Sequence, residues 1–332
     1  MFYSCKVGFY FDTTQVYIIR LQFFVKTSSL ELKRETIILS GKLYFQLMPS
    51  SAIKNIAILC NSLAGVGKAV ILAQKIGKEL SKLQIYHDLI TNNWPTDFNN
   101  YTDIWIVGGD GTLNYFINHY PDIKHPLVIF SGGTGNDFHW LLNGNKTLDE
   151  QLQVALNESP KPIDIGKCND RYFINGIGIG FEGEVARALT GKKKMLGKAS
   201  FLITILKKIF SYRSKTYTVK SAEHNFTGAK LLVDVSNGRR AGGGFHVAPT
   251  AKADDGLFDV VIADPLTSLQ RLRWLPVIEK GKHLGQSFIQ HFHTKNIIIE
   301  SDTPMQSHLD GEYYEALKFD IEMLEGKMQF RY

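Results

Sequence analysis

Three apolar segments of the chain are each followed directly by a glycine-rich turn. The segments NIAILC (55–60), DIWIV (103–107) and PLVIF (126–130) precede the turns NSLAGVGKA, GGDGT and SGGTGND, and helix-like patterns follow. Such apolar runs are typical of strands buried on both faces, and strands that alternate with helices form mostly parallel sheets. Residues 54–160 are therefore predicted to form an α/β domain with a mostly parallel sheet.

The pattern changes after residue 160. Short apolar segments bounded by Gly, Asn and Asp predominate in residues 161–332, among them AKLLVDVSN, GLFDVVIAD and KNIIIES. Segments of this kind are typical of an antiparallel β-sandwich. Helical patterns interrupt them at residues 182–210 and in LTSLQRLRWLPVIEKGKH. We therefore predict a C-terminal sandwich domain, with the final strand either within it or returned to the first domain.

Residues 1–53 fit neither domain. They alternate weakly between apolar and polar residues, which is compatible with additional strands. The alternative is a native start at Met48, because MPSSAIKNIAILC leads directly into the first strand of the α/β domain. Both interpretations remain open at this point.

Composition and charge narrow the function classes. Of the 332 residues, 44% are hydrophobic and 21% charged, as in a folded globular protein. Three cysteines without a CxxC pair argue against a disulfide framework and favour a reducing cytosol, so we expect a cytoplasmic protein. The net charge of +6 favours anionic partners. No basic surface interleaved with aromatic residues is evident, so nucleic-acid binding is not expected.

The three glycine turns are predicted to bind a nucleotide. Ligands of open α/β sheets bind at the carboxyl ends of strands, where glycines let phosphates approach backbone amides at helix N-termini. Asp110 would repel a phosphate unless a cation lay between them, so Mg²⁺ is expected there. Thr112 and Thr134 offer hydroxyl groups to phosphate oxygens. The spacing fits neither a P-loop nor a GxGxxG dinucleotide fingerprint.

Five short motifs follow one another in an order that resembles a known family. They are GDGTLN (109–114), GGTGND (132–137), GGGFHVAP (242–249), DDGL (254–257) and DGE (310–312). Together they resemble the soluble diacylglycerol kinase family, including the bacterial lipid kinases and sphingosine kinases, over most of the chain. The resemblance implies a kinase that transfers the γ-phosphate of ATP to the hydroxyl of a lipid such as diacylglycerol, in a cleft between the two domains.

The resemblance also implies ligand-binding residues. For ATP they are Asn61, Thr91, Gly108, Gly109, Asp110, Gly111, Thr112, Leu113, Asn114, Gly133, Thr134, Asn136 and Asp137. A Mg²⁺ site would use the Asp255 carboxylate and the backbone carbonyls of Lys252 and Leu257. Asp164 would reach the metal of the nucleotide through a water molecule.

The DGE motif would supply the base that accepts the proton of the lipid hydroxyl. Between its two acids Glu312 is preferred and Asp310 is the competing choice. Carboxylates two residues apart on a strand point the same way, but a turn glycine between them reorients one, so the sequence does not decide. Without the resemblance, Asp-Gly would indicate a plain hairpin turn.

The chain departs from the family pattern most clearly at Tyr115, where glutamate is usual. The missing acid would weaken support for magnesium or for the loop. A catalytically silent nucleotide-binding membrane protein is therefore one alternative function. The other is an NAD kinase, which shares a GGDGT turn and a sandwich. No histidine, His291 and His293 included, has a partner spacing that demands zinc.

Residues 191–215 read GKKKMLGKASFLITILKKIFSYRSK and combine lysines with apolar residues. On a helix, the apolar members would form a broad surface: Phe201, Leu202, Ile205, Leu206, Ile209 and Phe210. Such a helix suits the surface of an anionic bilayer, so we predict reversible, salt-sensitive membrane contact. The alternative is a helix whose apolar side covers the sandwich. The sequence is also compatible with a homodimer.

Overall fold

The computed structural model describes residues 54–191 and 201–332 in full. It also gives the backbone of residues 197–200 and of two strands near the start, β1 (Ser4–Tyr10) and β2 (Ile18–Phe24). Strands β1 and β2 pair antiparallel. Residues 1–53 and 54–332 are two separate compact units, and the possible start at Met48 lies outside the described residues.

The predicted α/β domain is confirmed. Its elements are β3 (Asn55–Cys60), α1 (Lys68–Lys82), β4 (Tyr86–Ile90), β5 (Asp103–Gly108), α2 (Asp110–His119), β6 (Leu127–Ser131), α3 (Asp137–Asn143) and α4 (Leu148–Asn157). The four strands are parallel in the order β6-β5-β3-β4. Alternate residues of β3 enter different cores: Ile58 packs with Ile76 of α1, whereas Leu59 packs with Phe116 of α2. Burial on both faces explains the continuous apolar runs.

The predicted sandwich domain is confirmed as well. Its elements are β7 (Lys161–Cys168), β8 (Arg171–Phe173), β9 (Gly176–Gly180), α5 (Phe181–Leu189), α6 (Gly197–Ser211), β10 (Lys215–Ser221), β11 (Asn225–Lys230), β12 (Leu232–Ser236), β13 (Phe258–Ala263), α7 (Ser268–Glu279), β14 (Ile289–Thr294), β15 (Asn296–Leu309) and β16 (Glu312–Phe330). Strands β11 and β14 were not anticipated, because at least half of the residues in each are polar.

The long final strand connects the two domains. Strand β16 pairs antiparallel with β15 and β7, and Phe330 at its end pairs parallel with Leu127 of β6. Directly after it, Nε of Arg331 lies 2.7 Å from a carboxylate oxygen of Asp103 on β5. Residues 54–332 therefore share one continuous mixed sheet.

Candidate active site

The three glycine turns meet at the carboxyl ends of β3, β5 and β6. The amide of Gly132 donates to the carbonyl of Gly108 at 2.8 Å. A Cβ atom on Gly133 would lie 2.4 Å from Cα of Gly109, and one on Gly65 would lie 2.3 Å from the carbonyl oxygen of Gly132. The turns thus pack backbone against backbone, which side chains would prevent, and this arrangement brings together the predicted phosphate-binding segments.

Asp110 links the second turn to the third. Its carboxylate accepts hydrogen bonds from the amides of Asp137, at 3.0 Å, and Phe138, at 3.2 Å, in the first turn of α3. Burial and the nearby charge of Asp137 raise the pKa of Asp110 to about 7, although these two hydrogen bonds oppose the rise. Asp110 therefore braces the two turns, and its contact with a metal-bound phosphate stays a prediction.

Asn136 and Asp137 hold the third turn in place. The side chain of Asn136 accepts from the amide of Gly133 at 3.1 Å and donates to its carbonyl at 2.9 Å. Buried Asp137 accepts from the amide of Gly243 at 2.7 Å, which ties the third turn to the GGGF segment of the sandwich domain. Thr134, by contrast, is exposed at the tip of the turn.

The other predicted ATP-binding residues have different environments. Asn61 donates to the hydroxyl of buried Thr112 at 3.3 Å, and Leu113 belongs to the core. Thr91 follows β4, the outermost strand of the parallel sheet, which is separated from β5 by β3. Gly111 lines a cleft between α2 and the sandwich domain.

The acids of the DGE motif point to different places. The Asp310 carboxylate accepts from the side-chain amide of Asn114 at 3.0 Å and from the backbone amides of Ile174, Asn175 and Gly176 at 2.9, 2.8 and 3.0 Å. Burial raises the pKa of Asp310, and these four hydrogen bonds oppose the rise. Both carboxylate oxygens are engaged, so Asp310 holds α2 against the link between β8 and β9.

Glu312 is exposed and lines the cleft, which has a volume of about 440 Å³. The other lining residues are Gly111, Asn114, Tyr115, Asn118, Arg171, Tyr172 and Leu309. The glycine in the DGE motif, with a φ of 89°, separates the two acids at the turn before β16. Of the two acids, Glu312 is the one placed to meet a ligand in the cleft, and its role as the base stays a prediction.

The cleft also contains residues that the sequence did not indicate. The side chain of Asn118 accepts from the amide of Tyr172 at 2.9 Å and donates to its carbonyl at 2.8 Å, which joins α2 to β8. Arg171 brings a cation to the cleft and lies 4.3 Å from the ring centre of Tyr314. No local motif marks Arg171 or Asn118, because their proximity depends on the packing of α2 against β8.

Tyr115, the departure from the family pattern, forms part of this cleft wall. It is 55% exposed, and its ring lies edge-on to Trp94 at 5.5 Å and stacks on His119 at 5.3 Å. An aromatic cluster thus occupies the surface where an acid was expected. Glu312 is the acidic residue among those that line the cleft.

Two protein-family models match successive parts of the chain. The model of the diacylglycerol kinase catalytic domain matches residues 55–168, and that of the YegS C-terminal NAD kinase beta sandwich-like domain matches residues 175–330. A probable lipid kinase YegS-like protein of Shewanella frigidimarina is 30% identical over 68% of this chain and 74% of its own. The chain belongs to the diacylglycerol kinase and YegS-like lipid kinase family.

Further members of the lipid kinase family show similar likeness. A diacylglycerol kinase of Bacillus subtilis is 29% identical over 62% of this chain and 70% of its own length. The crystal structure of a putative diacylglycerol kinase from Bacillus anthracis superposes with a TM-score of 0.70 at 25% identity. That match covers 87% of this chain and 98% of the other. The family resemblance drawn from the five motifs is therefore confirmed.

Of the predicted Mg²⁺ ligands, Asp255 and Leu257 lie in the DDGL turn and Lys252 lies two residues before it. Asp255 is exposed, its carboxylate accepts from the amide of Leu257 at 3.2 Å, and partial burial raises its pKa. Asp164 lies beside this turn: its two oxygens accept from the amides of Gly256 and Gly326, each at 2.7 Å. Buried Asp164 is thus placed with the DDGL turn, while its predicted route to the nucleotide metal stays untested.

Helix α6 lies within residues 191–215, for which the sequence left open a membrane-binding helix and a helix that covers the sandwich domain. It has apolar residues on both a buried and an exposed side. Ile205 and Ile209 are buried against Val185 of α5, whereas Leu202, Ile203 and Phe210 are 43%, 53% and 63% exposed. The inward residues cover the sandwich domain, and the outward ones leave an apolar surface. The side chains of residues 192–200, including Lys192, Lys193, Lys194 and Lys198, lie outside the described residues. Within the described part, no helix is long and apolar enough to cross a membrane.

Proposed function

We propose that this protein transfers the γ-phosphoryl group of ATP to the hydroxyl group of a lipid such as diacylglycerol. Membership of the lipid kinase family supports the reaction class, and a relative is named diacylglycerol kinase. The observation that carries the proposal is the hydrogen bond between Asn114 and Asp310. It joins the helix of the GGDGT turn to the DGE turn, so that the predicted nucleotide-binding segment and Glu312 border one cleft.

The residues present fit ATP and Mg²⁺ by their chemistry. Gly109 and Gly133 pack backbone against backbone, which brings the second and third turns together at the N-termini of two helices, and exposed Thr134 offers a hydroxyl to phosphate oxygens. The exposed Asp255 carboxylate and the carbonyls of Lys252 and Leu257 are oxygen ligands of the kind that Mg²⁺ prefers. When bound, ATP supplies the phosphoryl group and Mg²⁺ neutralises phosphate charge.

The chain itself supplies positioning and a proton acceptor. Glu312, as a carboxylate, accepts the proton of the lipid hydroxyl as the hydroxyl oxygen forms its bond to the γ-phosphorus. The bond between that phosphorus and the β,γ-bridging oxygen breaks, and ADP leaves. Asp310 and Asn114 act as positioning residues, because their hydrogen bond fixes α2 relative to the turn that carries Glu312. Arg171 places a positive charge at the same cleft and would attract the anionic phosphates.

A lipid-panel phosphorylation assay tests the proposal. The purified protein is incubated with ATP and Mg²⁺ and with diacylglycerol, a sphingoid base, another long-chain alcohol or NAD, and products are identified by mass spectrometry. We expect a phosphorylated lipid, with loss of turnover in Glu312→Gln but not in Glu223→Gln, an exposed control on the sandwich domain. Phosphorylation of NAD alone, or ATP binding without turnover of any acceptor, would overturn the proposal.

We also propose that α6 and α7 contact an anionic membrane surface reversibly. Besides the three exposed apolar residues of α6, Leu269 and Leu272 of α7 are 75% and 42% exposed. Arg271 of α7 donates to the carbonyls of Ile209 and Tyr212 at 3.1 and 2.9 Å, so the two helices form one joined surface. A lipid surface is the occupant favoured by the net charge of +6 and by the lysines of residues 191–215.

A further inference from the structure

Strands β13 and β14 bring two histidines and an aspartate to one face of the sandwich sheet. In the antiparallel register, Asp259 lies opposite His293, and Val261 lies opposite His291. Cross-strand partners, and residues two apart on one strand, share a face. Nε2 of His291 lies 2.8 Å from a carboxylate oxygen of Asp259, and Nε2 of His293 lies 3.5 Å from the same oxygen.

The three side chains form a site that is buried at Asp259 and open to solvent at His293. The side chain of Asp259 is 2% exposed, that of His291 20% and that of His293 47%. Thr250 donates from its hydroxyl to the same Asp259 oxygen at 2.5 Å, which fixes the carboxylate. A ligand would therefore reach the buried carboxylate from the side of His293.

The spacing suits a small divalent ion with nitrogen and oxygen ligands. One ligand atom from each residue can be chosen so that all three lie within 4.8 Å of one another. Ligand atoms at about 2.0–2.2 Å from a tetrahedral ion lie about 3.3 Å apart, so small side-chain rotations would complete the site. Imidazole nitrogens favour zinc and its neighbours over Mg²⁺.

A second buried acid shares this face of the sheet. Asp234, on the adjacent strand β12, is opposite Val261 in the register and is also buried. Among the described residues, Asp259, His291 and His293 form the cluster of three or more possible metal ligands.

We propose that Asp259, His291 and His293 bind one divalent transition-metal ion of the zinc class. The ion bridges β13 and β14, and β14 is the last strand at the sandwich end of the sheet. Metal binding would therefore stabilise the edge strand β14, which otherwise pairs only with β13 in the described sheet. The three ligands differ from those predicted at the DDGL turn, although Asp255 of that turn lies close enough for the charge of Asp259 to act on it. The site does not depend on the proposed kinase reaction.

Zinc titration of the full chain tests the site. The protein, freed of any affinity tag and treated with chelator, is titrated with Zn²⁺ against a chromophoric chelator, without nucleotide and with excess Mg²⁺ to occupy oxygen-only sites. We expect one tightly bound equivalent, with affinity reduced at least tenfold in both His291→Gln and His293→Gln. The exposed control His119→Gln should bind as the wild type does. Affinity that is unchanged in either variant, or no bound equivalent, would overturn the proposal.

A second measurement uses the unaltered protein, so it does not depend on the folding of the variants. Co²⁺ is added as a spectroscopic probe, and amide hydrogen exchange is compared with and without Zn²⁺. We expect absorption bands of a Co²⁺ ion with nitrogen and oxygen ligands, and slower exchange across residues 289–294. Exchange that slows equally throughout the chain, or not at all in that strand, would contradict a bridge between β13 and β14.

Discussion

Asn114 and Asp310 are 196 residues apart in the sequence and are joined by a hydrogen bond of 3.0 Å. Asn114 lies in the second turn of α2, four residues after the aspartate of the GGDGT turn. Asp310 is the first residue of the DGE motif, and three backbone amides of the β8–β9 link also donate to it. The glycine turns and the acid at the cleft are thus parts of one hydrogen-bonded structure.

Removing the Asn114 side chain should reduce catalysis more than stability. In Asn114→Ala the Asp310 carboxylate keeps its three backbone donors, so we expect a stability loss of about 1–2 kcal/mol. Displacement of α2 by a fraction of an ångström should lower kcat roughly tenfold to hundredfold. Initial rates and thermal unfolding of the variant give both quantities.

Asn157→Ala is the matched control for that substitution. Asn157 ends α4 on the surface, and its side chain contacts only Gln153 among the hydrogen bonds of the described residues. We expect unchanged kcat and an unfolding temperature close to that of the wild type. If Asn114→Ala loses no more activity than this control, the hydrogen bond between Asn114 and Asp310 is not important for catalysis.

Glu312 and Asp310 should differ when each is replaced by its amide. Glu312→Gln removes an exposed carboxylate, so we expect kcat to fall by about 10²–10⁴ while the unfolding temperature is retained. Asp310→Asn turns an NH₂ group toward backbone N–H donors, so we expect a lower unfolding temperature as well. Steady-state kinetics and thermal scans of both variants distinguish the two roles; the reverse pattern would make Asp310 the base.

The sequence predicted what depends on local pattern. Buried strands, glycine turns and the order of the five motifs are each contained in a few consecutive residues, and the structure places the turns of Gly108 and Gly132 in direct contact. The cleft was only partly predicted. Arg171 and Asn118 line the cleft because α2 packs against β8, and no local sequence pattern predicts that contact.

The cluster of Asp259, His291 and His293 also depends on a contact between segments that are distant in the sequence. His291 and His293 are two residues apart, which suggests a shared strand face, but their partner Asp259 is 32 residues earlier. Strand β14 itself was not anticipated, since its polar residues outnumber its apolar ones. Without the register between β13 and β14, the spacing alone gives no metal site.

The pKa of Asp110 predicts how stability changes with pH. Burial and Asp137 raise this pKa to about 7, above its value of about 3.9 in the unfolded chain. The folded state therefore binds the proton more strongly, and its contribution to stability is complete below about pH 4 and is lost as the pH rises through about 7. Asp110→Asn, which stays uncharged, should gain stability relative to the wild type as the pH rises from about 4 to about 7.

Thermal unfolding of both proteins across that range measures the effect. The difference in unfolding temperature should move in favour of Asp110→Asn as the pH increases. A constant difference, or one that moves in favour of the wild type, would show that the Asp110 carboxylate is ionised in the folded protein at all these pH values.

Membrane contact through α6 and α7 should depend on their exposed apolar side chains. The double substitution Phe210→Ser and Leu269→Ser removes two side chains that are 63% and 75% exposed. We expect weaker binding to vesicles that contain anionic lipid, and weaker binding of the wild type at high salt. Vesicle flotation measures both effects. Leu317→Ser, at a 55% exposed position on β16, is the control, and equal binding by all three proteins would exclude this surface.

The attachment of the final strand should contribute strongly to stability through Arg331. Its side chain is 15% exposed, and its ion pair with the 2% exposed side chain of Asp103 joins the chain end to β5. Arg331→Ala would leave a buried carboxylate without its partner, so we expect a loss of about 3–5 kcal/mol in the free energy of unfolding.

In contrast, Lys318 and Asp320 form a pair that is 48% and 57% exposed. Lys318→Ala should therefore cost at most about 1 kcal/mol. Urea unfolding of the two variants gives both values, and similar losses would mean that the Arg331 pair does not hold β16 to the parallel sheet.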